Sequence, residues 1–73
     1  MREFDISTEA WREYDFNGRI YRIKNPVKLF VYPGSTTHRV LDKNGIVHCV
    51  PSVGEHGCVL RWAGKDGSPD VSF

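Results

Sequence analysis

His48-Cys49 and His56-Gly57-Cys58, with His38 upstream, gather every imidazole and thiol of this 73-residue chain into one stretch. Zinc takes such ligands in tetrahedral geometry, usually from a Cys-x-x-Cys-like knuckle. Neither pair has that spacing, and His48 and Cys49 are adjacent, so a regular strand points them to opposite faces. A thiol nucleophile needs an activating base and an anion-stabilising site, and His56 is the only base close to Cys58. Gly54-Glu55-His56-Gly57 lacks the Gly-Lys-Ser/Thr continuation of a phosphate loop. Cys49 and Cys58 therefore read as small core residues, and the chain as a protein that is no enzyme and carries no cofactor. A zinc-stabilised module stands as a third reading behind the two developed below.

A second kind of chemistry, recognition of a charged partner, comes from the order of the charges. The formal net charge is +1, which argues against a general nucleic-acid coat. That value is nevertheless a sum of unlike segments. Residues 1–18 set Arg2 and Arg12 against Glu3, Asp5, Glu9, Glu13 and Asp15. Residues 19–43 set Arg19, Arg22, Lys24, Lys28, Arg39 and Lys43 against Asp42 alone. Residues 44–73 balance to within one charge. Tyr21, Phe30 and Tyr32 are interleaved in the basic middle. A polarised surface steers association, and Trp, Tyr and Arg are strong interface anchors. Trp11, Arg12, Tyr14, Arg19, Tyr21, Arg22, Lys24 and Lys28 are the expected partner-binding residues. The same mixture suits RNA or single-stranded DNA through phosphate contacts and base stacking, with Lys28, Phe30, Tyr32 and Arg39 along the groove. The bland alternative is a solvated basic face over an aromatic core.

The elements that must position these residues are short. Turn signals recur at Asn17-Gly18, Asn25-Pro26, Pro33-Gly34, Asp42-Lys43-Asn44-Gly45, Pro51-Ser52-Val53-Gly54 and Asp66-Gly67-Ser68-Pro69, a spacing that leaves room for strands and for no three-turn helix. Asn17-Gly18 suits a two-residue type I′ hairpin. Its register opposes Phe16 to Arg19, Asp15 to Ile20, Tyr14 to Tyr21, Glu13 to Arg22, Arg12 to Ile23 and Trp11 to Lys24. Tyr14, Phe16, Tyr21 and Ile23 then form the core side, and Glu13–Arg22 an exposed ion pair. Residues 8–16 also admit a helix capped by Ser7 or Thr8 and ending at Gly18; a single helical turn over residues 7–11 before the hairpin is the competing expectation. Val27 to Tyr32 reads as a strand. Thr36 to Leu41 and Ile46 to Val50 read as a second hairpin, with Leu41 opposite Val47, Val40 opposite His48 and Arg39 opposite Cys49. Cys58 to Trp62 returns to the sheet. The fold expected is mostly β, a small antiparallel sheet of two hairpins plus a C-terminal strand, with room for one short N-terminal helix. Residues 1–73 form a single small domain, and 63–73 a mobile tail.

A domain this small buries only roughly 60% of its unfolded surface. Secreted chains of that length usually add several disulfides. Two cysteines and an N-terminus without an apolar leader point instead to a cytoplasmic, monomeric protein with reduced thiols.

The run His38-Arg39-Val40-Leu41-Asp42-Lys43-Asn44-Gly45-Ile46-Val47-His48-Cys49-Val50, with the chain length, the two hairpins and the basic middle, resembles the small bacteriophage-encoded regulators of host RNA polymerase. The resemblance implies binding to the N-terminal part of the polymerase β′ subunit near the RNA exit channel. It further implies inhibition of host promoter use and suppression of intrinsic termination, alongside a Nus-type elongation factor. It carries no individual functional residue over to this chain.

Overall fold

Turns divide the chain into eight strands among the described residues: β1 (Arg2–Asp5), β2 (Glu9–Phe16), β3 (Arg19–Lys24), β4 (Pro26–Val31), β5 (His38–Asp42), β6 (Val47–Val50), β7 (Val59–Gly64) and β8 (Pro69–Ser72). The computed structural model describes residues 1–55, 57–65 and 69–72, the last group as backbone. Asn17 and Gly18 take φ of 52° and 96°, the positive values a type I′ loop requires. All six expected β2–β3 pairs form around them. The second hairpin also has the expected register, extended by His38 opposite Val50. Its loop is tied by the Asp42 carboxylate, which accepts from the backbone N–H of Asn44 at 2.8 Å and of Ile46 at 3.1 Å.

The strands form two antiparallel four-stranded sheets, in the orders β1-β4-β5-β6 and β3-β2-β7-β8. A single sheet was the expectation, and Asn25 explains the difference. It sits at φ 50°, where its N–H donates to the Ala10 carbonyl at 2.9 Å and its carbonyl accepts from the Lys43 N–H at 3.0 Å. One residue thus closes the first hairpin and opens the β4–β5 pairing, so the chain turns from one sheet into the other there. The core lies between the sheets. Tyr14 and Ile23 contribute from one, Leu29, Val40 and Val50 from the other, and Ile6 and Cys58 from the crossings, with Phe16, Val31, Val53 and Leu60 packed around them. Each fully buried aliphatic side chain contributes about 1.5–3 kcal/mol.

One other expectation is corrected, and two further strands join the sheets. No helix forms over residues 7–11. Ser7 and Thr8 lie in a turn closed by Glu9 N–H to the Ile6 carbonyl at 3.0 Å, and the Asp5 carboxylate accepts from Ser7 N–H at 2.9 Å. The polar residues that resemble a helix cap thus satisfy a turn, and Glu9 to Phe16 run extended. Arg2 to Asp5, with only one large apolar residue, form an edge strand against β4 that the pattern did not announce. Of the stretch expected as a mobile tail, Ala63 and Gly64 continue β7 and 69–72 pair with it as β8, while residues 66–68 and 73 lie outside the described residues. Among the described residues no helix is long and apolar enough to cross a membrane.

Candidate partner-binding surface

The inner face of β2 holds a polar chain closed to solvent. Arg12 donates from Nε to Glu9 Oε1 at 2.9 Å and from Nη2 to Oε2 at 2.7 Å, a bidentate pair with both side chains buried. Its Nη1 donates to the Tyr14 hydroxyl at 3.3 Å, which lies 2.9 Å from His38 Nδ1 across the two sheets. Arg12 also lies over the Trp62 ring at 5.7 Å. Burial works most strongly against the Arg12 charge, yet the interactions with Glu9 and Tyr14 together outweigh it and hold the guanidinium above its ordinary pKa. Burial pushes the Tyr14 hydroxyl up and the His38 imidazole down, so both stay neutral near pH 7. Tyr14 is 0% and Arg12 6% exposed. Both are enclosed, where a partner-binding role expects exposure, because the pairing that sets Arg12 opposite Ile23 points it inward with the core side chains.

The outer face of the same strand is charged and self-neutralised. Glu13 is buried between Arg22, at 2.8 Å, and Arg61, at 2.9 Å, and Arg61 also donates to Asp15 at 2.7 Å. The hydrogen bond from Arg22, reinforced by Arg61, lowers the Glu13 pKa; that from Arg61 lowers the Asp15 pKa. The expected exposed Glu13–Arg22 pair is therefore exposed only on its arginine side, since β7 covers Glu13 from across the sheet. Arg22 stacks over Trp11, with its guanidinium carbon 4.3 Å from the ring centroid, a cation–π contact on the outer face.

At the neighbouring edge the situation reverses. β3 is solvent-exposed along its length except at Ile23. Arg19 and Lys24 enter no ion pair with another described residue. Tyr21, expected in the core, is 45% exposed, because β3 ends the sheet and its hydroxyl reaches out to His48 Nδ1 at 2.6 Å. His48 Nε2 lies 2.8 Å from Asp42 Oδ2. A carboxylate only accepts, so Nε2 carries a proton, and in the neutral ring Nδ1 accepts from Tyr21. The His48 bond also lowers the Asp42 pKa. Beside this bridge Phe16, Arg19, Ile20 and Tyr21 line a hollow of about 270 Å³. Ile20, 56% exposed, had been given no role. Its exposure was implicit in the register, which sets it on the outer face opposite Asp15.

The remainder of the basic stretch lies on the other sheet. Lys28 pairs with Glu3 at 3.2 Å, and Arg39 stacks over the Tyr32 ring at 4.8 Å. Two of the four residues favoured for a nucleic-acid groove are thus engaged with each other, and a third is neutralised. Of the eight residues expected to bind a partner, the fold brings Trp11, Arg19, Tyr21, Arg22 and Lys24 together around β3. It buries Arg12 and Tyr14, and places Lys28 apart on β4. Cys49 is exposed and Cys58 buried, both free thiols. Among the described residues no three His, Cys, Asp or Glu side chains are grouped to hold a metal; His56 lies outside those residues. Comparison with family models, with curated proteins and with solved structures finds no match for this chain.

Proposed function

We propose that this protein is a non-enzymatic regulator that binds bacterial RNA polymerase in the host cytoplasm. On this reading it docks on the N-terminal region of the β′ subunit near the RNA exit channel, inhibits host promoter transcription and suppresses intrinsic termination. The observation that carries a protein-docking role is the cationic edge. Arg19, Tyr21, Arg22 and Lys24 stand exposed on one terminal strand with no acid among them, and the rigid β2 face stands behind. The choice of polymerase rests on the resemblance in the 38–50 run and the two-hairpin layout. Action by occupying space and altering the channel's field needs no catalytic residue, and a Nus-type factor bound nearby fits the same mechanism.

Tagged protein incubated with purified bacterial RNA polymerase tests the reading. It is expected to co-purify with the enzyme and to raise read-through at an intrinsic terminator. Failure on both counts contradicts the proposal. The rival reading, a domain that binds RNA or single-stranded DNA directly, requires tight binding of free single strands at low salt and a steep loss as salt is added.

A further inference from the structure

The backbone of β3 has a direction as well as a charge. In an antiparallel pair, opposed residues alternate between pairs that exchange both hydrogen bonds and pairs that exchange none. Asn25 N–H donates to the Ala10 carbonyl, and counting back along the register makes Arg12–Ile23, Tyr14–Tyr21 and Phe16–Arg19 the bonded pairs. The N–H and C=O groups of Ile20, Arg22 and Lys24 therefore point away from β2. No described strand lies on that side. The free donors and acceptors recur every second residue, as a strand-accepting edge requires.

The other edges differ. β1 carries Glu3 and Asp5, and β6 and β8 are only four residues long, β8 with a proline and an aspartate in its sequence. β3 is six residues long and presents Arg19, Arg22 and Lys24 with no acid. The hollow lined by Phe16, Arg19, Ile20 and Tyr21 opens at its hairpin end. Its volume of about 270 Å³ suits one bulky side chain. We infer that β3 accepts an extended acidic segment of a partner protein as an added strand, with an apolar or aromatic side chain of that segment seated in the hollow beside Ile20 and Tyr21. Acidic residues at alternate positions of the added strand share the outer face with Arg22 and Lys24, of which Lys24 meets no acid among the described residues, while the intervening apolar residues face the hollow on the side of Phe16 and Tyr21. The segment adds main-chain bonds at Ile20 and Arg22, so recognition combines charge, one anchor and backbone pairing. This deepens the partner-binding reading above and rests on it, but not on the partner being RNA polymerase.

The test uses the full chain and a synthetic eight-residue peptide alternating Glu with Val and carrying one central Phe. Amide NMR spectra are expected to shift at residues 16–24, and the Ile20 and Arg22 amides are expected to slow in hydrogen exchange. A peptide N-methylated at alternate residues, on the edge that faces β3, is expected to bind at least tenfold more weakly. A peptide with Lys in place of Glu is expected not to bind. Ile20→Pro, which removes an outward donor without removing a β2 bond, is expected to weaken binding more than Ile20→Ala does. Equal binding of the N-methylated and parent peptides overturns strand addition, and so do shifts centred on β5 and β6. Concentration-dependent shifts at β3 without peptide would place the acidic β1 of a second copy there and also overturn it. Because the peptide assay contains no polymerase, peptide binding without polymerase co-purification removes the polymerase assignment and leaves this inference standing. Co-purification with a peptide-silent edge does the reverse.

Discussion

β2 and β3 are two halves of one hairpin, opposite in charge and in what their side chains do. Each carries arginine and tyrosine, and Tyr14 faces Tyr21 directly across the pair. Both tyrosines reach a histidine on the other sheet, His38 at 2.9 Å and His48 at 2.6 Å. Tyr14 does so in the core and Tyr21 at the surface. The difference comes from neighbours. β2 is flanked by β3 and β7, which close over its charges and pair them, whereas β3 ends the sheet and leaves Arg19 and Lys24 without an acid. A basic or aromatic residue in this hairpin is therefore enclosed in the fold or left open to solvent according to its distance from the sheet edge.

Mutation separates the two strands most sharply at the tyrosines. Tyr14→Ala removes a fully buried ring, and a loss of about 4 kcal/mol is expected, lowering Tm by on the order of 20 °C. Tyr21→Ala, on an exposed side chain, is expected to cost less than about 1 kcal/mol. Similar losses at the two sites in thermal melts would remove the contrast. Arg12→Ala leaves the buried Glu9 carboxylate without its partner and is expected to cost about 3 kcal/mol. Arg19→Ala on β3 is expected to stay within about 0.5 kcal/mol of the parent. An Arg12→Ala variant as stable as the parent would show that Glu9 is not held as described.

The buried histidine bridge also makes stability depend on pH. Burial holds the His38 pKa below the ordinary 6.5, so the unfolded chain takes up that proton first. Stability is then lost as pH falls through 6.5 towards the lower folded value. The lowered carboxyls of Glu13, Asp15 and Asp42 give their contribution above the ordinary carboxylate range and lose it only in stronger acid. Tm is therefore expected to fall in two stages on acidification. The first stage is expected to shrink in His38→Gln, whose amide oxygen still accepts from Tyr14. An unchanged first stage in that variant would assign the pH response to another group. A small effect is likewise expected from Tyr21→Phe, which removes one solvent-exposed hydrogen bond and shifts stability by less than about 1 kcal/mol.

Turn chemistry made much of the fold readable before any coordinates. Asn17-Gly18 and Asp42 to Gly45 determine local φ values, and a hairpin register follows from its loop. Arg12 and Tyr21 were misplaced for a different reason. Strand alternation assigns a face, but only the addition of β7 on one side of β2, and of nothing on the far side of β3, decides burial, and that is long-range. The passage between sheets at Asn25 was hidden in the same way, since an Asn-Pro link marks a turn without saying which sheet follows. Ser7 and Thr8 satisfy a turn as readily as a helix cap, so the ambiguity there was physical. The cationic character of the candidate surface was visible in the charge order. Its restriction to β3 was not, because Glu3 and Tyr32 engage Lys28 and Arg39 only through the tertiary fold.

The central claim, that the edge strand and not its buried neighbour meets the partner, is tested most directly by amide hydrogen exchange on the full chain with and without bacterial RNA polymerase. Ile20 and Arg22 are expected to gain strong protection in the complex, with the amides of β1 unchanged. Protection arising at β1 or β6, with Ile20 and Arg22 exchanging as in the free protein, would contradict it.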